Sequence, residues 1–202
     1  MKHIAFLLLL LVSFCQNNDL SNESDYKTSN YEVLSKQAFK YCVKNNLQRS
    51  YYMLVDLNIH SGKKRFFVYD FKKDTIIKSY MVSHGCGENA WSNTFTKDNP
   101  KISNEFDSHC SSVGKYIIRD RGVSQWGIHV KYLLQGKDKT NSNAFERAIV
   151  LHSWEEIPND EVYPRGTPEG WGCPAVSNLA MKEIDAMLKQ SAKPVLLWVI
   201  KN

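Results

Sequence analysis

Among the side chains able to carry covalent chemistry are five cysteines and six histidines, and one pair stands out by its setting. Cys173 lies in Gly170-Trp171-Gly172-Cys173-Pro174-Ala175. Two glycines within three residues let the backbone turn sharply beside the sulfur, and the N–H groups around Gly172 could be aimed at an oxyanion. His152 ends the apolar run Ala148-Ile149-Val150-Leu151, which would fix its position. A thiol is mostly protonated near neutral pH; a nearby imidazole can take its proton. The imidazole needs an orienting partner, and the backbone carbonyl of Ser153 could serve. The chemistry indicated is nucleophilic catalysis by cysteine. The plainer readings are a structural cysteine in a glycine loop and a satisfied core histidine.

These residues need a frame. Tyr31 to Leu47 lacks Gly and Pro, and Leu34, Ala38, Tyr41, Cys42 and Asn45 share a helical face, so a helix is expected over 31–50. From Tyr51 the period changes to two, which marks strands over 51–59, 65–71 and 74–83. Residues 85–104 read as loop. Further strands are expected at 115–119, 128–134, 148–152 and 193–200. Ser177 caps a helix to Gln190, with Leu179, Ile184, Met187 and Leu188 facing inward. The fold class is mainly β with flanking helices, and residues 51–202 form the catalytic domain.

Ahead of that domain, Lys2 and His3 precede nine apolar residues, Ile4 to Val12, and a polar exit begins at Gln16. This is the order of an export signal over 1–15. A polar tether follows over 16–30. Cys15 stands where a bacterial lipoprotein accepts its lipid, but Phe14 is large for the preceding position, so a lipid anchor and ordinary cleavage are both open. The expected location is the periplasm or cell envelope. Four cysteines then remain in an oxidising compartment, compatible with two disulfides or one, and Cys86 with Cys110 is one candidate pairing.

Composition agrees with one folded domain: 202 residues, 43% hydrophobic and 23% charged. Ten Tyr and five Trp favour β structure and a stacking or peptide-binding surface. The net charge of +5 is spread along the chain, which does not suggest nucleic-acid binding but allows an anionic envelope partner.

His152, seventeen intervening residues and then Gly170-Trp171-Gly172-Cys173 resembles the L,D-transpeptidase signature of His, fourteen to seventeen residues, Ser or Thr, His, Gly, Cys. The resemblance runs from Leu54 to Val176. It is closest to the murein L,D-transpeptidase catalytic-domain branch of the YkuD-like superfamily, through Val55-Asp56, Ser83-His84-Gly85, Ile102-Ser103-Asn104, Ser108 to Gly114, Asn141 to Ile149 and Gly172 to Val176. The first fifty residues add nothing to it. Three positions depart: Gly170 replaces Ser or Thr, Trp171 replaces His, and Glu169 stands where this branch often has Arg.

The resemblance implies a β-sandwich, a peptidoglycan tetrapeptide stem as donor, a Cys173 thioester, release of D-Ala, and transfer to a stem amine, a protein amine or water. It implies no metal or organic cofactor. Substrate-binding candidates are His84, Ser111, Ser112, Arg147, Trp154 and Trp171, against plainer roles as loop histidine, turn serines, surface ion pair and core packing. Ser83-His84-Gly85-Cys86 copies the signature letters, yet twenty-two residues separate it from His60. Forty-three residues intervene between His129 and Cys173, and His129 is read as structural or peripheral. Other readings are a cysteine peptidase or amidase of the wall, and a non-catalytic peptidoglycan-binding relative, which Glu169 and Gly170 would suit.

Overall fold

The computed structural model describes residues 20–202, so the expected export signal and Cys15 lie outside the described residues. The chain divides into two compact units, Met1–Leu34 and Ser35–Asn202. Helix α1 runs Leu20–Lys44. It takes in residues 20–30, expected as a tether, and ends before 50. Residues 20–30 contain neither Gly nor Pro, so nothing there breaks a helix. The end has a clear cause: Asn46 adopts φ 54°, and Leu47 N–H and Asn46 N–H donate back to the carbonyls of Cys42 and Val43.

Eight strands follow: β1 Tyr51–Asp56, β2 Phe66–Asp70, β3 Thr75–Tyr80, β4 Gly114–Val123, β5 Val130–Gly136, β6 Val150–Ser153, β7 Ala175–Val176 and β8 Val195–Ile200, with α2 (Asn178–Gln190) between the last two. They form one sheet in the order β3-β2-β1-β8-β4-β5-β6-β7. Only the β1–β8 and β6–β7 pairs are parallel. Just beyond β3 the chain meets β7: Val82 bridges Val176, and Ser83 N–H donates to the Ala175 carbonyl at 2.9 Å. The sheet therefore curls until its two edges touch, so the opposing layers belong to one ladder.

Alternation points one side chain in two into a shared core: Met53 and Val55, Phe66 and Val68, Tyr116 and Ile118, Leu197 and Val199. Helix α2 adds Ala180, Met181 and Ile184 to it. Its N-cap is Ser177, whose hydroxyl accepts from Ala180 N–H. Leu179, expected inward, is 55% exposed, because the buried stripe runs through 180, 181, 184 and 185. Asp185 on that stripe accepts from Arg121 Nε at 2.7 Å and Tyr132 OH at 2.8 Å, which ties α2 to β4 and β5. On the outer face, Phe39 of α1 packs edge-on against Phe71, which stacks on Tyr52. Among the described residues no helix is long and apolar enough to cross a membrane.

Candidate active site

Strand β6 delivers His152, and the loop entering β7 delivers Cys173. In the parallel β6–β7 register His152 lies opposite Ala175, two residues beyond Cys173. The Cys173 sulfur is held against the start of β6. Val150 N–H donates to Sγ at 3.4 Å, and the thiol donates to the Ala148 carbonyl at 3.8 Å. Ala148 sits at φ 55°, a left-handed conformation that a residue with a Cβ adopts at some cost. Burial raises the thiol pKa, opposed in part by the Val150 N–H, Arg147 and Lys131.

His152 Nδ1 lies 3.0 Å from the Ser153 carbonyl. A carbonyl only accepts, so Nδ1 carries the proton and Nε2 keeps its lone pair. Burial lowers the imidazole pKa, and the Ser153 hydrogen bond offsets this only in part, so the ring is a neutral base near pH 7. Among the described hydrogen bonds, the amides of Gly172 and Cys173 donate to no protein acceptor. Both are free for an oxyanion.

The two glycines of the loop differ. Gly172 has φ 93°, and a Cβ on it would lie 2.3 Å from the Cys110 carbonyl oxygen. A Cβ on Gly170 would meet nothing within 4 Å. Gly172→Ala is therefore expected to cost on the order of 1–3 kcal/mol and to disturb Cys173, whereas Gly170→Ser, which restores the signature hydroxyl, should leave stability within about 0.5 kcal/mol. Urea unfolding of both variants checks this; equal losses would show that the loop geometry is misread.

His152 and Cys173 line one cavity of about 510 Å³ together with Trp91, Trp126, Trp154 and Trp171. Trp154 is buried against Trp91, and Trp171 is exposed and stacks on His109. Three other candidates are not at the cavity. His84 is fully buried, with Arg65 on Nδ1 and Thr96 on Nε2. Ser112 is buried with its hydroxyl against Tyr116 OH. Ser111 is buried too: its hydroxyl accepts from Gly85 N–H and donates to the Gly172 carbonyl at 3.4 Å, so it supports the loop from behind. These side chains are engaged with internal partners and lie off the cavity that holds Cys173.

Arg147 does not form the surface ion pair that its charge suggests. Its guanidinium donates to the carbonyls of Ser103 and Cys110 and to the Ser108 hydroxyl, and it reaches within 3.5 Å of the position a Gly172 Cβ would take. Sequence reading missed Trp91 and Trp126, since nothing in a loop or a turn announces that two distant tryptophans meet. The four described cysteines beyond the N-terminus are free thiols. Cys86 and Cys110 are near neighbours but both are buried, which raises their pKa values.

A mainly β fold with flanking helices, carrying a cysteine and a histidine on one aromatic cavity, agrees with the family evidence. The L,D-transpeptidase catalytic domain family matches residues 25–197, and the chain belongs to that family. The match begins inside α1 and ends in β8, so it extends well beyond the Leu54 to Val176 stretch expected, and the first fifty residues do contribute. No curated protein matches significantly. Among solved structures, the chain is similar to the Ldtfm-avibactam carbamoyl enzyme, at 12% identity and TM-score 0.44 over 76% of this chain and 49% of that one. It is also similar to the K307A mutant of the helical cell shape determining protein Pgp2 from Campylobacter jejuni, at 14% identity and TM-score 0.41 over 76% and 48%. The chain thus spans about half the length of these proteins.

Proposed function

We propose that the chain is an exported cysteine L,D-transpeptidase of the cell envelope that acts on peptidoglycan stem peptides. The observation that carries this reading is the cavity shared by Cys173 and His152, with Val150 N–H on the sulfur and Ser153 O on the imidazole. Cys173 attacks the carbonyl of the third, L-centred residue of a tetrapeptide stem while its proton passes to His152 Nε2. The amides of Gly172 and Cys173 receive the oxyanion. Collapse breaks the amide bond, and His152 returns the proton to the departing D-Ala amine. The thioester then passes to an amine of another stem or of a protein, or to water. Arg147, beside Gly172, is the cation that steers the carboxylates of the stem; Trp154 and Trp171 wall the bound peptide.

Incubation with labelled tetrapeptide muropeptides, read by mass spectrometry, tests the reading. Crosslinked dimers or shortened stems with free D-Ala are expected. Binding without either product would point to the non-catalytic relative. The pH profile is a second check. A neutral imidazole whose pKa lies below its ordinary 6.5 faces a thiol whose pKa lies above its ordinary 9.0. Acylation should therefore fall only below pH 6.5, as His152 gains a proton, and stay level up to about pH 9. An acid limb centred above 6.5 would contradict this assignment of protons.

A further inference from the structure

The wall of the cavity facing Cys173 is aromatic and carries no charge. Trp91 stacks on Trp154 at 4.8 Å and 24°, and Trp126 closes the group at 5.7 Å from Trp91 and 6.2 Å from Trp154. Trp154 is buried, which anchors the cluster, while Trp91 and Trp126 remain 43% and 42% exposed. The polar side chains on the lining are those of Ser83, Gln125 and His152; no Lys, Arg, Asp or Glu side chain lines it. The cation of the site, Arg147, stands behind Gly172 and is absent from this lining.

That asymmetry sorts a substrate by charge. A carboxylate set against an indole wall loses water and gains no partner, which is costly, whereas an ammonium can still rest on an indole face. The carboxylates of a stem peptide belong on the Arg147 side. The aromatic wall suits an uncharged occupant with a flat apolar face and a polar rim, which indole faces and a few side-chain amides can meet together. In peptidoglycan that description fits the sugar ring, since the apolar groups of the stem are methyls and alkyl chains without a flat face. We infer that Trp91 and Trp126 form a subsite for a neutral N-acetylated hexose of the glycan strand, so that the enzyme prefers stems still attached to their sugars. This rests on the peptidoglycan reading above and adds to it the part of the polymer that is recognised.

The test uses the Cys173→Ala chain, which binds without turnover, and three probes: a tetrapeptide stem, the same stem on its disaccharide, and a peptide-free N-acetylglucosamine disaccharide. Calorimetric titration is expected to give about tenfold tighter binding of the sugar-bearing stem than of the free stem, the size of one good aromatic contact. The peptide-free disaccharide should quench tryptophan fluorescence. Trp126→Ala, at an exposed position, should remove the advantage and leave free-stem affinity unchanged, whereas Trp126→Phe should keep most of it. Equal affinity for both stems overturns the sugar subsite, as does an advantage that survives Trp126→Ala. If Trp126→Ala weakens the free stem equally, the wall belongs to the peptide. If no stem form binds and the unmodified chain turns none over, the peptidoglycan reading itself falls.

Discussion

Cys173→Ala is expected to abolish release of D-Ala from tetrapeptide stems and to abolish the mass adduct formed with a carbapenem, while the protein stays folded. The reason is positional. The other described thiols, Cys42, Cys86 and Cys110, are buried and line no part of the cavity that holds His152. Burial raises the pKa of each, with Cys42 pushed up to about 12. Burial raises the Cys173 thiol as well, so in the proposed scheme the nucleophile forms by proton transfer to His152 and not from a standing thiolate. His152→Ala should accordingly slow acylation by on the order of 10²-fold or more. Peptide mass spectrometry locates the adduct. An adduct on Cys86, or turnover surviving in Cys173→Ala, would overturn the scheme, and Cys86→Ser should retain full turnover.

The meeting of Cys173 and His152 on one cavity was legible because its signals are local. Two glycines mark the loop, an apolar run marks β6, and seventeen residues between His152 and Gly170 match a known spacing. The strands were legible because the period of two is strong from Tyr51 onward, and α2 because Ser177 announces its cap. What could not be read depends on contacts between distant segments. Ser111, Ser112 and His84 look like free polar groups in sequence, and only the fold reveals that Gly172, Tyr116 and Arg65 have taken them. Strand β7 has two residues, too few for any periodicity, and exists because β6 and the chain beyond β3 flank it. Arg147 resembles a surface cation until the carbonyls of Ser103 and Cys110 are seen to hold it beside the loop.

Arg65 gives the other large expected effect. It is fully buried, and so are His84 and Glu169. Its guanidinium donates to the carbonyls of Ile59 and Val82, and Nη2 lies 2.6 Å from His84 Nδ1. An arginine can only donate, so His84 accepts at Nδ1 and carries its proton on Nε2, which faces Thr96 Oγ1 at 2.9 Å and Glu169 Oε1 at 3.6 Å. A neutral imidazole thus links a buried cation to a buried carboxylate. Burial brings the Arg65 pKa down to about 9, against the pull of Asp56 and Glu169. The assembly stands at the root of the cysteine loop, since Gly170 N–H donates to the His84 carbonyl at 2.8 Å and Gly170 O accepts from Cys86 N–H at 2.7 Å.

Removing one partner of such a set leaves the other charge buried and uncompensated, so Arg65→Met should cost about 3–5 kcal/mol. Adding Glu169→Gln to that variant should recover part of the loss, because the stranded charge is gone. The pH dependence follows from the two shifts. Burial lowers the His84 pKa in the folded state, so folding loses stability as pH falls below the unfolded value near 6.5, where only the unfolded chain takes the proton. Burial raises the Glu169 pKa, but hydrogen bonds from His84 and Thr96 outweigh it and leave the carboxyl lowered. Its stabilising share is present above about 4.5 and is lost as pH falls through the folded value. Urea unfolding from pH 8 to pH 4 should show a decline starting near 6.5 that His84→Gln reduces, the remainder belonging to His152 and His60, whose pKa values burial also lowers. A loss below 1 kcal/mol for Arg65→Met, or strict additivity with Glu169→Gln, would mean that the three groups are neighbours without being coupled.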